Sequence, residues 1–460
     1  MNLPSIPSSL RRLTSDFTPG PSASFPGFSR VSPMRVAFEI LGCRLNEAEA
    51  ESWARRFSAS GAKIVPSTQA EVIVLNTCAV TEEAVRKSRR LIRRLRRANP
   101  SVRLVVSGCY ATLHPKEVEE ALGVDLVVVN RDKDRLVELT CAFLKEGLGA
   151  AKERGTKFSL RRQRAFVKVQ DGCRHRCTFC IVTLARGEER SRPISEVIEE
   201  IRSLRAQGVQ EAVLTGVHLG GYGSDLGVRL EDLIAKVLEE TDLPRLRLGS
   251  LEPWELGERF FKLFANPRLM PHLHLPLQSG SDAVLKRMAR RCRRQDFREL
   301  IKLARTHCPD LHLTTDIIVG FPGETEADFQ QTLELVEEIG FANVHVFPFS
   351  PRPGTPAASF PDQVPETLKQ KRSLTLRALA ARLRREALKR HLGCTEEVLW
   401  ENFHEEGEEW VFFGYTPHYL RVQIRVPQGK NLANVLCPVR LVGLTPEGDQ
   451  LLAEPRALTK

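Results

Sequence analysis

The sequence lacks any run of 18 or more apolar residues, which excludes a membrane-spanning helix. A secretory signal is missing too. The first 33 residues contain eight Ser and six Pro but no apolar block long enough to serve as one. Eleven cysteines in a 460-residue chain without such a signal indicate a reducing, cytoplasmic setting. Disulfides are disfavoured there, and the cysteines read as metal ligands, reactive thiols or core residues. Acidic charge is in short supply: 57 Asp+Glu against 68 Lys+Arg leave a net charge of +11. That surplus favours a polyanionic partner such as nucleic acid, although a generally basic proteome gives the same number. Hydrophobic residues make up 42% of the chain, ample for burial, and its length predicts two to four domains.

Residues 1–33 read as a disordered extension, with a transit peptide or a start codon assigned too far upstream as alternatives. Met34 opens "MRVAFEILGC", a strand where a domain should begin. From 34 to about 150, the short apolar runs "VAFEIL", "VIVLN", "RLVVSG" and "DLVVV" alternate with helical stretches, which predicts an open parallel α/β sheet. Three of these runs end in a cysteine: Cys43, Cys78 and Cys109. Ligands of such sheets sit beyond the carboxyl ends of the strands, so three distant cysteines can converge there as a ligand set. A single cysteine so placed would read as a small core residue.

The helix predicted after Thr81 places Ala84, Ser88, Leu91, Leu95 and Ala98 on its inner face. Arg86, Lys87, Arg89, Arg90, Arg93, Arg94, Arg96 and Arg97 cover the rest. A solvated surface helix is one reading. An RNA backbone would relieve the repulsion within this unbroken basic run.

A second domain is expected over 157–361. Strand candidates "AFVKVQ", "EAVLTG", "RLRLGS", "HLHLPL", "LHLTTDIIVG" and "NVHVFPF" are separated by helices. A closed eight-fold barrel needs about 250 residues, so this shorter segment predicts a partial (β/α) barrel with its site at the carboxyl ends of the strands. Residues 362–393 read as a basic linker helix with Leu376, Leu379, Leu383, Ala387 and Leu392 as its packed stripe. Residues 394–457 turn to short strands, which suggests a small β-barrel.

"DGCRHRCTFCIVTLARG" places Cys173, Cys177 and Cys180 within eight residues just after the first strand of the second domain. Three thiolates suit a cubane 4Fe–4S cluster, whose fourth iron then stays open. Phe179 could form an aromatic wall beside it. Zinc with His175 as fourth ligand remains an alternative.

C-x3-C-x2-C with an aromatic before the last Cys, placed after the first strand of an α/β barrel, resembles the radical S-adenosylmethionine (SAM) superfamily. "LGCRLNEAEAE", "NTCAVTEEAVRKSR" and "SGCYA" upstream, with "LTGVHLGGYG", "RLGSLEP", "HLPLQSGSDAVLKRM", "TDIIVGFPGETEADF" and "VFPFSPRPGTPA" downstream, narrow the resemblance to the methylthiotransferases. It covers 34 to about 457. "NTCAVT", "ARGEERSR" and "LTGVHLGGYG" look like the branch acting on threonylcarbamoyladenosine beside the tRNA anticodon. Other branches act on isopentenyladenosine or on a ribosomal-protein aspartate. Val182-Thr183-Leu184 departs from the family's Ile/Val-Pro-aromatic stretch.

The resemblance implies two 4Fe–4S clusters: one on Cys173, Cys177 and Cys180, and an auxiliary one on Cys43, Cys78 and Cys109. It implies two SAM molecules per turnover, one cleaved to a radical that attacks carbon 2 of the adenine and one supplying the methyl group. Chemistry would be carried by clusters and SAM rather than by a catalytic side chain. Thr215 and Gly216 lie where the family binds the SAM amino group. Glu252, Gln278 and Asp316 each end a barrel strand, where they either contact cofactor or cap the strand. His272 and His274 are expected to face core or loop, and Cys141, Cys292, Cys308, Cys394 and Cys437 to be packing residues. The last domain resembles the TRAM module, an OB-like RNA-binding barrel, with Phe412, Phe413, Tyr415 and Tyr419 as candidates for base stacking and half of them expected in the core. Expected partners are tRNA and a flavodoxin- or ferredoxin-like electron donor, with no membrane and a monomeric state; the sulfur donor is unspecified. The rival from another class is a non-catalytic, metal-containing RNA-binding protein.

Overall fold

The computed structural model describes residues 33–144 and 164–455. The expected extension before residue 33, the stretch 145–163 and residues 456–460 lie outside them.

Five short apolar runs build the first sheet: β1 (Arg35–Ile40), β2 (Lys63–Ile64), β3 (Val72–Thr77), β4 (Arg103–Gly108) and β5 (Leu126–Val128). All pairings are parallel, in the order β2-β1-β3-β4-β5. Central β3 is buried at every position, as a strand covered on both faces must be. Helices α1 (Arg44–Ala59) and α4 (Leu136–Leu144) pack Trp53, Phe57 and Leu136 on one face. Helix α2 (Glu82–Ala98) covers the other, and α3 (Cys109–Leu113) continues directly from β4. Thr81 caps α2, its hydroxyl accepting from the Ala84 amide at 3.2 Å. The buried face of α2 is Val85, Ser88, Leu91, Ile92 and Leu95. Ala84 is only half-buried and Ala98 is exposed, which corrects the expected face. Burying branched Val85 and Ile92 removes more apolar area from water than burying two alanines.

The central region runs β6 (Arg164–Lys168), β7 (Gln170–Asp171), α5 (Val182–Arg186), β8 (Arg190–Ser191), α6 (Ile194–Ala206), β9 (Glu211–Thr215), α7 (Leu230–Glu240), β10 (Arg245–Leu248) and α8 (Glu258–Phe261). It continues through β11 (His272–His274), α9 (Asp282–Arg287), α10 (Arg294–His307), β12 (His312–Val319), α11 (Glu326–Ile339) and β13 (Asn343–Pro348). Strands β6, β9 and β10 pair in parallel, as do β11, β12 and β13. Parallel bridges Leu246–Leu269 and Ser250–His274 join the two sets. The result is an open six-stranded parallel barrel, as expected. Ala48 of α1 packs on Phe166 and Val213, so the first domain lies against the inner face of β6 and β9.

Helix α12 (Glu366–Lys389) leads to a closed barrel of β14 (Thr395–Glu406), β15 (Glu409–Tyr415), β16 (Arg421–Pro427), β17 (Leu436–Leu444) and β18 (Leu451–Pro455), in the order β14-β15-β16-β18-β17. Leu376, Leu383 and Ala387 are buried along α12, but Leu392 lies past its end and is exposed. Phe412 is core. Tyr415 and Tyr419 are not free stacking platforms. Their rings stack on each other at 4.8 Å and plug the central barrel, with the Arg164 guanidinium 4.5 Å from the Tyr415 ring and that of Arg247 4.6 Å from the Tyr419 ring. Desolvated cation–π contacts lock the C-terminal barrel onto the central one. Phe413 remains half-buried beside His404 and Arg421. Cys394 is exposed, not packed; Cys437 accepts from the Trp400 indole at 3.1 Å.

Candidate active site

Strands β1, β3 and β4 are neighbours, so their carboxyl ends share one edge, and each is followed there by a cysteine. Cys43 stands at the start of α1, Cys78 follows β3, and Cys109 opens α3. Cys43 and Cys109 both lie near enough to Cys78 to act on its thiol, and a Cβ on Gly42 would sit 2.8 Å from the Cys78 Cβ. Burial, then Cys109 and Cys43 as neighbouring thiols, pushes the Cys78 thiol up to about 11. Gly108 makes the turn possible. Its φ is +103°, and a Cβ there would lie 2.2 Å from the Thr77 carbonyl.

The second trio is made locally. Gly172 enters the loop at φ +74°, and a Cβ there would come within 1.9 Å of the Glu188 carbonyl. Backbone bonds pin the loop: Cys173 N to Gly187 O at 3.1 Å, Cys180 N to Cys177 O at 3.0 Å, and Thr178 N to Met288 O at 3.1 Å. Burial and neighbouring thiols push Cys173 up to about 12 and Cys180 up to about 11. Burial also raises Cys177, against the pull of Arg290. The Arg290 Nη1 is 3.9 Å from the Cys177 Sγ, its Nη2 pairs with Glu252 at 2.7 Å, and its guanidinium lies 4.4 Å from the Trp254 ring. Such thiols are protonated at neutral pH until a cation displaces the proton, as a metal cluster does.

His175 is otherwise engaged: its Nε2 is 2.9 Å from the His218 Nε2 and 3.3 Å from the Glu255 carboxylate. His218 also meets Glu255 at 2.7 Å and bonds Glu189 through Nδ1. Cys173 approaches Glu189 and His218, with ligand atoms within 4.8 Å of one another. Burial opposes protonation of His218, but Glu255 and Glu189 raise its pKa; in turn the two imidazoles hold Glu255 down to about 2 despite its burial. A cavity of 270 Å³ opens beside the loop, lined by Arg174, His175, Arg176, Cys177, Trp254 and Arg291 among others.

Helix α5 connects the two trios. Ala185 shares a core with Cys109 and Tyr110. The Asn130 Nδ2 donates to the Ala185 carbonyl at 2.6 Å and stands 3.9 Å from the Cys109 Sγ. Buried Arg186 pairs with Glu49 at 2.8 Å and Asp171 at 2.9 Å and donates to Asn46 at 2.9 Å. Burial opposes the charge on Arg186, but Glu49 and then Asp171 hold its pKa well above the ordinary guanidinium value. Lys133 and Lys168 complete this network, at 2.5 Å from Glu49 and 2.6 Å from Asp171. Sequence reasoning missed Arg186, Asn130 and the His175–His218–Glu255 cluster. The only signal for Arg186 was its place in "ARG", noted there as a branch mark without a role.

The other expected residues lie as follows. Phe179 is half-buried and packs against the small apolar cluster of Val284, Met288, Phe321, Phe349 and Ala357. Thr215 ends β9, and Gly216 abuts the Gln170 side chain. Glu252 is the Arg290 partner already described. Gln278 has φ +71°; its amide donates to the Asp316 carbonyl at 2.8 Å. The Asp316 carboxylate is 3.3 Å from the His274 Nε2. His272 is buried, bonded to Thr314 at 3.1 Å. On α2, Lys87, Arg90, Arg93, Arg94 and Arg97 are exposed without an ion pair among the described residues, whereas Arg86, Arg89 and Arg96 are paired with Glu83, Glu117 and Asp125.

An open parallel barrel with a three-cysteine loop after its first strand defines the radical SAM class, and residues 167–336 match the radical SAM superfamily. Residues 35–129 match an uncharacterized protein family, UPF0004. The threonylcarbamoyladenosine tRNA methylthiotransferase MtaB of Thermotoga maritima is 40% identical over 84% of this chain and 90% of its own length; that of Bacillus subtilis is 38% identical over 84% and 89%. The tRNA-2-methylthio-N(6)-dimethylallyladenosine synthase of Polynucleobacter asymbioticus is 35% identical over 81% and 88%. The chain belongs to the radical SAM methylthiotransferases, a family that uses SAM and a 4Fe–4S cluster. Among solved structures, the radical SAM methyltransferase TsrM of Kitasatospora setae shares the fold, with a TM-score of 0.55 at 15% identity over 70% of this chain and 75% of its own.

Proposed function

We propose that the protein inserts a methylthio group at carbon 2 of N6-threonylcarbamoyladenosine at position 37 of tRNA. The observation that carries the reading is the short link between the trios: Asn130 touches both Cys109 and the helix that leaves the Cys173–Cys180 loop. A second cluster on Cys43, Cys78 and Cys109 then faces the same site as the first. Both donor sets offer three thiols to such groups: in one Cys78 and Cys109 are buried and Cys43 is exposed, and in the other Cys173, Cys177 and Cys180 are all half-buried. When bound, the loop cluster with one SAM supplies a radical able to take hydrogen from an unactivated aromatic C–H, and the second cluster with another SAM supplies the methylated sulfur.

The chain's own residues position and shield these groups. Arg290 holds positive charge beside Cys177 while Glu252 fixes its fork. Buried Ala185 and Arg186 close the space between the trios to water. Glu252, Thr215, Gly216, Gln278 and Asp316 remain the candidates for SAM or substrate contact, and Phe179 for a wall of the pocket. The bare arginines of α2 offer a phosphate-binding face for tRNA. An external one-electron donor is required.

Nucleoside mass spectrometry of tRNA from a deletion strain tests the reading. Loss of the methylthio group from threonylcarbamoyladenosine alone, restored by the gene, is the expected result. Loss from the dimethylallyl nucleoside, or from a ribosomal-protein aspartate, overturns the substrate. Anaerobic reconstitution tests the cofactors: about eight irons per chain supports two clusters, whereas a colourless, zinc-loaded protein would support the non-catalytic RNA-binding rival.

A further inference from the structure

Four side chains from four separate segments meet where the C-terminal barrel docks. His312 is the first residue of β12, His391 follows α12, Glu396 lies in β14, and His418 lies in the β15–β16 connection. The three imidazole rings form a nearly equilateral triangle, with centroids 4.8, 4.9 and 4.8 Å apart. Three imidazoles bound to one tetrahedral zinc at a Zn–N distance of about 2.0 Å would place their ring centres roughly 5 Å apart. The His391 Nε2 and the His312 Nε2 face each other at 2.9 Å. The Glu396 carboxylate bonds the His391 Nδ1 with one oxygen and lies 3.3 Å from the His418 Nδ1 with the other. Ligand atoms of His391, Glu396 and His418 lie within 4.8 Å of one another. The side chains of His391, Glu396 and His418 are only 12, 10 and 16% exposed, and His312 is buried with its Nδ1 lacking a hydrogen-bond partner.

We propose that His312, His391 and His418, with Glu396, hold one zinc ion that clamps the C-terminal barrel to the amino-terminal rim of the central barrel. Imidazole and carboxylate donors suit zinc, and once iron–sulfur groups occupy the six clustered thiols these side chains remain free to take it. Glu396 backs the Nδ1 atoms of His391 and His418, as a carboxylate commonly does at metal sites, and the burial of these side chains leaves little room for substrate. The position agrees with that role. His312 opens its strand at the amino end of the barrel, whereas the Cys173–Cys180 loop follows the carboxyl end of β6.

The test uses the cluster-loaded full chain, incubated with zinc sulfate, desalted, and measured by elemental analysis and zinc-edge X-ray absorption, which iron does not obscure. About one zinc per chain, surrounded by nitrogen and oxygen scatterers alone, is expected. In a His391→Ala, His418→Ala double variant the zinc should be lost while iron content and visible absorbance stay at the parent's values. The proposal is overturned if the parent retains no zinc, if its zinc shows sulfur scatterers, or if the double variant keeps the ion. Should that variant fail to fold, the parent's edge spectrum decides by itself. None of these outcomes depends on which tRNA nucleoside is modified.

Discussion

The two cysteine trios look alike on paper and are built in opposite ways. Cys173, Cys177 and Cys180 sit on one loop, so local chain geometry alone brings them together once Gly172 permits the turn. Cys43, Cys78 and Cys109 are spread over the first domain and meet only because β1, β3 and β4 are parallel neighbours that end at one edge. The loop needs a few backbone bonds; the dispersed set needs a folded sheet. Damage to the first domain should therefore disable the second site while sparing the first.

Ligand removal is the sharpest way to break that contrast. Alanine at Cys173, Cys177 or Cys180 should abolish SAM cleavage and product together. Alanine at Cys43, Cys78 or Cys109 should leave SAM cleavage intact, abolish methylthiolated product and lower bound iron by about half. Equal loss of SAM cleavage in both groups would mean the trios are not separable. Next in size is Glu49, the buried carboxylate that joins Arg186, Lys133 and Lys168 across the two domains. Breaking a buried ion pair from one side leaves uncompensated charge, so Glu49→Gln should lower unfolding stability by about 3–5 kcal/mol in a denaturant titration. A change below 1 kcal/mol would show that the domains do not depend on this network.

Asp171 gives the pH dependence of the same junction. Burial alone would raise its carboxyl, but Arg186 and then Lys168 hold it down, from 3.8 to about 2. A depressed carboxyl contributes stability above its unfolded value and loses it on acidification. That contribution, about 2 kcal/mol, should fade as pH falls from 3.8 toward 2. Thermal midpoints measured across this window should fall less steeply in Asp171→Asn than in the parent. An identical acid limb would remove Asp171 from the account. The smallest effect concerns Thr81, three residues beyond Cys78. Thr81→Ala should cost about 1 kcal/mol by uncapping α2, and hydrogen exchange should rise in α2 but not around the Cys173–Cys180 loop.

Much of this was legible in the residue order. Apolar runs of five or six residues between amphipathic stretches pointed to parallel sheets, and the C-x3-C-x2-C spacing pointed to an open iron. Legibility failed where a residue's partner is remote in the chain. On the inner face of α2, Ser88, Leu91 and Leu95 are buried as the period predicts, but Val85 and Ile92 replace Ala84 and Ala98 there by burying more area. Tyr415 and Tyr419 stand among four stacking candidates of which half are expected in the core, and they meet Arg164, Arg247 and Arg44, whose positions no local pattern links to them. Arg186 stood in a noted motif, but its work depends on Glu49, 137 residues away.

By itself, then, the amino-acid order determined the features set by near neighbours: element type, the contiguous cysteine loop, the strand-end cysteines and the basic helix. Tertiary structure alone decided what distant segments do together. It closed the dispersed trio, tied it to α5 through Asn130, plugged the central barrel with two tyrosines and drew three histidines around one carboxylate. The physical reason is that backbone periodicity is written in adjacent residues, whereas which buried charge meets which partner is settled only when whole elements pack.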